Sequence, residues 1–270
     1  SAAKQIMQAA PGELIPFDRF YTPIEGFLET AVKRTVDQAA HLEQLTQFDS
    51  RLLKTLFMIR YVDAVKATVD NLATLMVDQI DADKRQLRKD IESSLVRLEN
   101  QLLIARNGDE YNFLTNEEKE IENEIRHTEV EPTAVNQKLS EILFDQALKG
   151  HKAYRYPVNH QEFKVSRFCN SHPKDGSTQE DLNLYVVTPI DRDYEKFQSE
   201  AHAKQYSLDK ESLLVVLEDD KALWEDLETY VKTAKYLKHN NEVGKEHLIR
   251  DKHLENNDRL KRLHRGIETL

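Results

Sequence analysis

The sequence predicts an α+β protein, mostly helical, in which a winged helix-turn-helix module is followed by a small α/β domain and a C-terminal helical arm. Three observations predict it. Thr68 to Thr115 has the order short helix, turn, longer helix and tight hairpin; apolar strand-like runs begin at Ala153; and a seam of apolar residues spaced by threes and fours runs through Glu246 to Leu270. The corresponding divisions are an extended segment with a packing helix (1–45), the winged-helix module (46–128), a linker helix (129–150), the α/β domain (151–238) and a helical or coiled-coil arm (239–270).

Pro11, Gly12, Pro16 and Pro23 mark an opening loop whose Phe17, Phe20 and Tyr21 are expected to pack their rings from an extended stretch onto a neighbouring domain. Leu28, Val32, Val36, Ala39 and Leu42 then recur at helical spacing, opposite Lys33, Arg34 and Asp37, as in an amphipathic packing helix. Ser50 to Ala64 is apolar on most sides and forms the buried spine of the next module. A short helix follows from Val69 to Val77 behind a Thr68 cap.

Asp83 with Gln86 three residues on reads as a capping box, starting a helix at Lys84 whose Leu87, Ile91, Leu95 and Leu98 share one face. Arg85, Lys89 and Glu92 lie opposite, with Arg88 on the flank. Leu102–Arg106 and Tyr111–Thr115 read as strands around Asn107-Gly108-Asp109-Glu110, because Asn-Gly supplies the positive φ that a tight hairpin turn requires. Lys84, Arg85, Arg88, Lys89 and Arg106 are therefore the candidate nucleic-acid contacts. Asp78, Asp81, Asp83, Asp90 and Glu92 balance their charge and weaken phosphate binding, so the module reads equally as a DNA contact or as a protein-protein or structural one. Any DNA contact is expected to be mainly to phosphates, because Asp90 and Glu92 leave little room for a base-reading set.

Thr115 and Glu118 form a further capping box before a glutamate-rich helix, whose early carboxylates suit a helix N-terminus better than a catalytic cluster. Pro132 and Thr133 open a helix ending at Lys149-Gly150. Strands are predicted at Tyr154–Val158, Phe163–Phe168, Leu182–Thr188 and Leu213–Leu217. Helices are predicted near Tyr194–Tyr206 and Ala222–Leu237. The last two strands, continuous apolar runs, are expected to be central and covered on both faces. Asn170 to Asp181 is expected to be a mobile polar loop. Ile249, His253, Asn256, Leu260, Leu263, Ile267 and Leu270 form the terminal seam, of which Ile249, Leu260, Leu263, Ile267 and Leu270 are the candidate partner-binding positions.

A net charge of −10 over 270 residues argues against non-specific DNA binding by the whole surface. A single cysteine, Cys169, excludes an internal disulfide and suits a reducing cytosol. No run approaches a transmembrane span, and no secretory signal is visible. Without an initiator Met, and stopping inside a helical pattern, the chain reads as an internal piece of a longer protein.

Glu218, Asp219 and Asp220 after an apolar strand resemble magnesium-binding acids, but no glycine begins a G-x-x-x-x-G-K-[ST] loop. Asp219 or Asp220 is expected to cap the helix containing Trp224 instead. His160, Cys169 and His172 have zinc-ligand chemistry, yet only Cys169 and His172 are closely spaced, and structural zinc requires four ligands. The same cysteine and histidines lack an orienting third group for nucleophilic catalysis. No catalytic, metal or cofactor site is assigned.

The strings Ile15-Pro16-Phe17-Asp18-Arg19-Phe20-Tyr21 and Gly26-Phe27-Leu28-Glu29 resemble the BrxC/PglY family, the large P-loop ATPases of the BREX bacteriophage exclusion systems. Tyr154-Arg155-Tyr156-Pro157-Val158-Asn159 and Val165-Ser166-Arg167-Phe168-Cys169 do so more specifically. The resemblance implies a region downstream of an AAA+-like nucleotide site, so ATP and magnesium belong to the full-length parent and no ATP-binding residue is carried over. It also implies a cytoplasmic complex with a methyltransferase and other BREX proteins. Double-stranded DNA and self-association are further candidate contacts. The expected role is a non-catalytic interaction and regulatory segment; the alternatives are a stand-alone winged-helix DNA-binding regulator and an autonomous hydrolase.

Overall fold

A computed structural model of the chain describes residues 12–270 except 29, 63, 175, 177–179 and 241–243. It is α+β and mostly helical, as expected, and divides into two compact units, residues 1–124 and 125–270.

The first unit begins with short helical turns over Phe17–Phe20, Tyr21–Ile24 and Glu25–Phe27, where an extended stretch was expected. Pro16 supplies the extended N-cap and Pro23 falls in a first turn, where a missing N–H costs nothing. Tyr21 is buried within this unit and packs edge-on to Phe57, and the bidentate Asp18–Arg51 pair pins the turns. Helices α1 (Thr30–Ala39), α2 (Gln47–Ile59), α3 (Val69–Met76) and α4 (Lys84–Asn100) follow. Next come strands β1 (Ile104–Asn107) and β2 (Glu110–Phe113) and helix α5 (Asn116–His127), within which the division between units falls.

The spine helix α2 starts earlier than the apolar pattern suggested, because Thr46 and Asp49 form a reciprocal capping box. Its Leu52, Leu53 and Leu56 meet Leu72 and Met76 of α3, Ile91, Leu95 and Leu98 of α4, and Ile104 and Phe113 of the hairpin in one core. Arg60, at the end of α2, forms a bidentate pair with Glu118 at 2.7 and 2.8 Å and donates to the Phe113 carbonyl. Glu118 also completes the expected capping box with Thr115. The box expected at Asp83 is only half formed: Asp83 accepts from the backbone N–H groups of Arg85 and Gln86, while the Gln86 side chain turns to Asp90. In the hairpin Asn107 pairs with Glu110, leaving a two-residue turn in which Gly108 alone takes the positive φ, 65°.

The second unit contains α6 (Pro132–Glu141), which runs into a π-helical turn, Ile142–Ala147. After it come β3 (Ala153–Arg155), β4 (Glu162–Cys169), β5 (His172–Pro173) and β6 (Leu182–Val187), then a turn at Tyr194–Phe197, α7 (Glu200–Asp209), β7 (Ser212–Val216), α8 (Lys221–His239) and α9 (Glu246–Thr269). The sheet order is β3-β4-β6-β7, with β5 also on β4. β4, β6 and β7 are mutually parallel, whereas β3 and β5 run antiparallel to β4.

Cys169 and Val186 face a core built from Val135, Leu139, Phe144, Leu223, Trp224, Leu227, Leu263 and Ile267. The helix read as a linker is thus part of this unit's core. On the other face Phe168 stacks on Tyr185 with centroids 4.3 Å apart, and Tyr206 and Phe197 pack edge-on beyond it. β7 departs from expectation: it is an edge strand among the described residues, with Leu213 66% and Val215 37% exposed. An unbroken apolar run does not distinguish a central strand from an edge strand, because alternation is what reveals an open face.

The terminal helix α9 lies on α8 and the π-helical turn of its own unit. Its buried positions are Leu248, Lys252, Asn256, Arg259, Leu263 and Ile267, so only part of the predicted seam faces inward. The face is displaced because it is partly polar: Asn256 donates to the Tyr230 carbonyl, and Arg259 and Arg262 lie beside Asp226 of α8.

Candidate functional site

The exposed edge of α4 carries four of the five cations read from the sequence, and the hairpin carries the fifth, Arg106. Asp83 occupies the helix N-terminus and Ile91, Leu95 and Leu98 hold the opposite face in the core, which leaves Lys84, Arg85, Arg88 and Lys89 exposed to solvent. Arg88 is neutralised by Asp70 of α3 at 2.7 Å, an exposed pair worth about 1 kcal/mol at most. Arg106 is exposed on the hairpin, with its Nε held by the Gly108 carbonyl at 2.8 Å. At the same hairpin Lys66 is paired with Glu110. Lys84, Arg85 and Lys89 make no ion pair among the described residues. The edge therefore presents three unpaired cations within a unit that carries more carboxylates than bases.

The five seam positions are not brought together as one free surface. Leu263 and Ile267 are buried in the unit's core and Leu260 packs against it; Ile249 is half-buried and Leu270 exposed.

His160, Cys169 and His172 are likewise kept apart in role. The Cys169 thiol is fully buried among apolar side chains, and burial pushes its pKa up to about 12, whereas His160 and His172 are exposed. No group of three or more His, Cys, Asp or Glu among the described residues is arranged to hold a metal ion. A thiol so buried and protonated is expected to be inert. Cys169 should react with Ellman's reagent at a negligible rate in the native protein and stoichiometrically in denaturant; fast native labelling would contradict this placement. Asp220 caps α8, accepting from the Leu223 N–H at 3.2 Å, as the sequence suggested.

The sequence did not reveal a buried polar network at the C-terminal ends of the parallel strands. Asn170 and Ser171, just after β4, both take the left-handed conformation, with φ of 48° and 64°. Read as the start of a mobile loop, Asn170 is instead buried: its amide nitrogen donates to Asn136 Oδ1 and Thr188 Oγ1, and its oxygen accepts from the Thr188 N–H and hydroxyl. Asn136 in turn donates to the Cys169 carbonyl. Asx residues tolerate the left-handed region, the one local signal that could have marked the position. Further along the predicted loop His172 and Pro173 pair with β4 as strand β5, while Asp175 and residues 177–179 lie outside the described residues.

The second unit defines a class of protein module: a small mixed sheet with three parallel strands, covered by helices on one face and by an aromatic stack with short helices on the other. The family model described as "BREX ATP-binding protein BrxC 4th domain with six-stranded beta sheet" matches residues 128–270, more than half of the chain, and the match begins within a few residues of the second unit. The chain belongs to the BREX BrxC family. Five strands of this sheet lie among the described residues. No solved structure matches the chain. No helix among the described residues is long and apolar enough to cross a membrane.

Proposed function

We propose that this chain is a non-catalytic interaction and regulatory segment of a cytoplasmic BREX phage-defence ATPase. On this reading the first unit is a winged helix-turn-helix that contacts duplex DNA, and the second unit docks other BREX proteins, the methyltransferase among them. ATP and magnesium act elsewhere in the parent. The observation that carries the reading is the family match over residues 128–270. The helix-turn-helix order of α3 and α4, the hairpin that follows, and the exposed Lys84, Arg85 and Lys89 support the DNA contact. With Asp90 and Glu92 beside them these cations suit phosphate contacts, so binding is weak, sequence-independent and steeply salt-dependent.

Fluorescence anisotropy with labelled duplexes over a salt series tests this. Arg85→Ala/Lys89→Ala is expected to weaken binding to all sequences alike and to reduce the slope of log affinity against log salt by about two, roughly one for each lost phosphate contact. An unchanged slope would end the DNA contact for this helix, and tight sequence-selective binding would favour a stand-alone regulator. Magnesium-dependent ATP hydrolysis or nuclease cleavage by the chain, abolished by Asp219→Ala, would overturn the non-catalytic reading.

A further inference from the structure

The second unit holds a cavity of about 300 Å³ lined by Thr133, Asn136, Gln137, Ser140, His172, Pro173 and Lys174, beside the network at the C-terminal ends of β4 and β6. This is the carboxyl end of the parallel strands, the end of an open α/β sheet outside which ligands bind. Ser140 is 6% exposed, and its Oγ is buried without a hydrogen-bond partner. A helical serine ordinarily bonds the carbonyl four residues back or points to water, and leaving a buried hydroxyl unmet is costly.

The remaining lining is donor-rich. It contains no carboxylate, but a second hydroxyl, two carboxamides, an imidazole and the Lys174 ammonium. Lys174 is fixed by Asp145 at 2.8 Å, and His172 Nδ1 lies 2.7 Å from the Asn170 carbonyl. When Nδ1 carries the proton, that contact is a hydrogen bond that fixes the ring. The bonds of Asn170 to Asn136 and Thr188 fix the positions of α6, β4 and β6 around the cavity without using the Ser140 hydroxyl.

We propose that this cavity binds a small oxyanion, the phosphate or carboxylate head of a small molecule, with Ser140 Oγ donating to it and the Lys174 ammonium, held in place by Asp145, donating through its remaining N–H groups. A buried hydroxyl donor beside a lysine, in a cavity whose lining holds no carboxylate, suits that chemistry.

The test uses the whole 270-residue chain, isotopically labelled and titrated with inorganic phosphate and, separately, with acetate, against chloride at matched ionic strength. Saturable shifts confined to amides of residues 133–140 and 170–174 are expected with at least one anion. A response to phosphate alone assigns phosphorylated ligands, and one to acetate alone assigns carboxylates. Ser140→Ala and Lys174→Ala are each expected to weaken that binding about tenfold, the effect of a contact worth about 1.4 kcal/mol. Ser140→Ala without ligand should melt no lower than the wild type, since it removes an unmet hydroxyl and places a better helix former in α6. Absence of saturable shifts with both anions, or undiminished binding in both variants, would overturn the proposal.

Discussion

Replacing Arg97 by Met is expected to destabilise the first unit by about 3–5 kcal/mol, the cost of leaving a buried charge without its partner. Asp49 has no exposed surface. Its Oδ2 accepts from the Thr46 N–H at 2.7 Å and from Arg97 Nε at 2.9 Å, and its Oδ1 accepts from Arg97 Nη2 at 2.7 Å. The pair is asymmetric, because the Arg97 side chain is 36% exposed and can be hydrated when left alone. Asp49→Asn should therefore cost clearly less than Arg97→Met, and denaturant titrations with unchanged m-values would rank them.

The pH dependence separates the two roles of burial and pairing. In the wild type burial raises the Asp49 pKa, but the hydrogen bonds from Arg97 and Thr46 outweigh it and hold the carboxyl below the usual range. A folded value below the unfolded one, about 4, makes this contribution complete above that pH. It is lost as pH falls through the folded value. Without Arg97, burial dominates and the folded carboxyl rises above its unfolded value, so the variant regains stability as the medium is acidified toward about pH 4. The gap between wild type and Arg97→Met should therefore narrow from neutral pH to that point. A gap that stays constant would show that the loss came from packing alone.

In the second unit Leu263→Ala is expected to cost about 2–5 kcal/mol, the range for truncating a buried leucine. Leu263 is fully buried in the cluster that contains Leu227, Trp224 and Ile267, whereas Leu254 on the same helix is 58% exposed and its replacement by Ala should change stability by no more than about 0.5 kcal/mol. Trp224 is the chain's one tryptophan and belongs to this cluster, so its fluorescence follows the loss directly. Equal melting of the two variants would contradict the docking of α9 on its own unit. Deleting residues 246–270 removes Leu248, Leu263 and Ile267 from the interior and is expected to unfold the unit. A pull-down with that truncation would therefore report unfolding. Substitutions at exposed Leu254 and Leu270 are the ones that probe docking of a partner.

The sequence by itself determined what depends on neighbours along the chain. The cap at Thr68, the Thr115–Glu118 box, the hairpin at Gly108 and the leucine face of α4 were legible because capping, positive φ and helical periodicity act over a few residues. The exposure of Lys84, Arg85 and Lys89 followed from that same periodicity. The tertiary structure alone decided which surfaces were already occupied. Arg88 is neutralised by an aspartate 18 residues away in sequence, the terminal seam is largely consumed by its own unit, and β7 lies at an edge. Nor does spacing reveal that Asn170 joins Asn136 to Thr188, or that Ser140 lines a cavity with an unmet hydroxyl. Burial and hydrogen-bond satisfaction depend on residues that meet only when the chain has folded, and the local pattern of one segment carries no record of its distant partner.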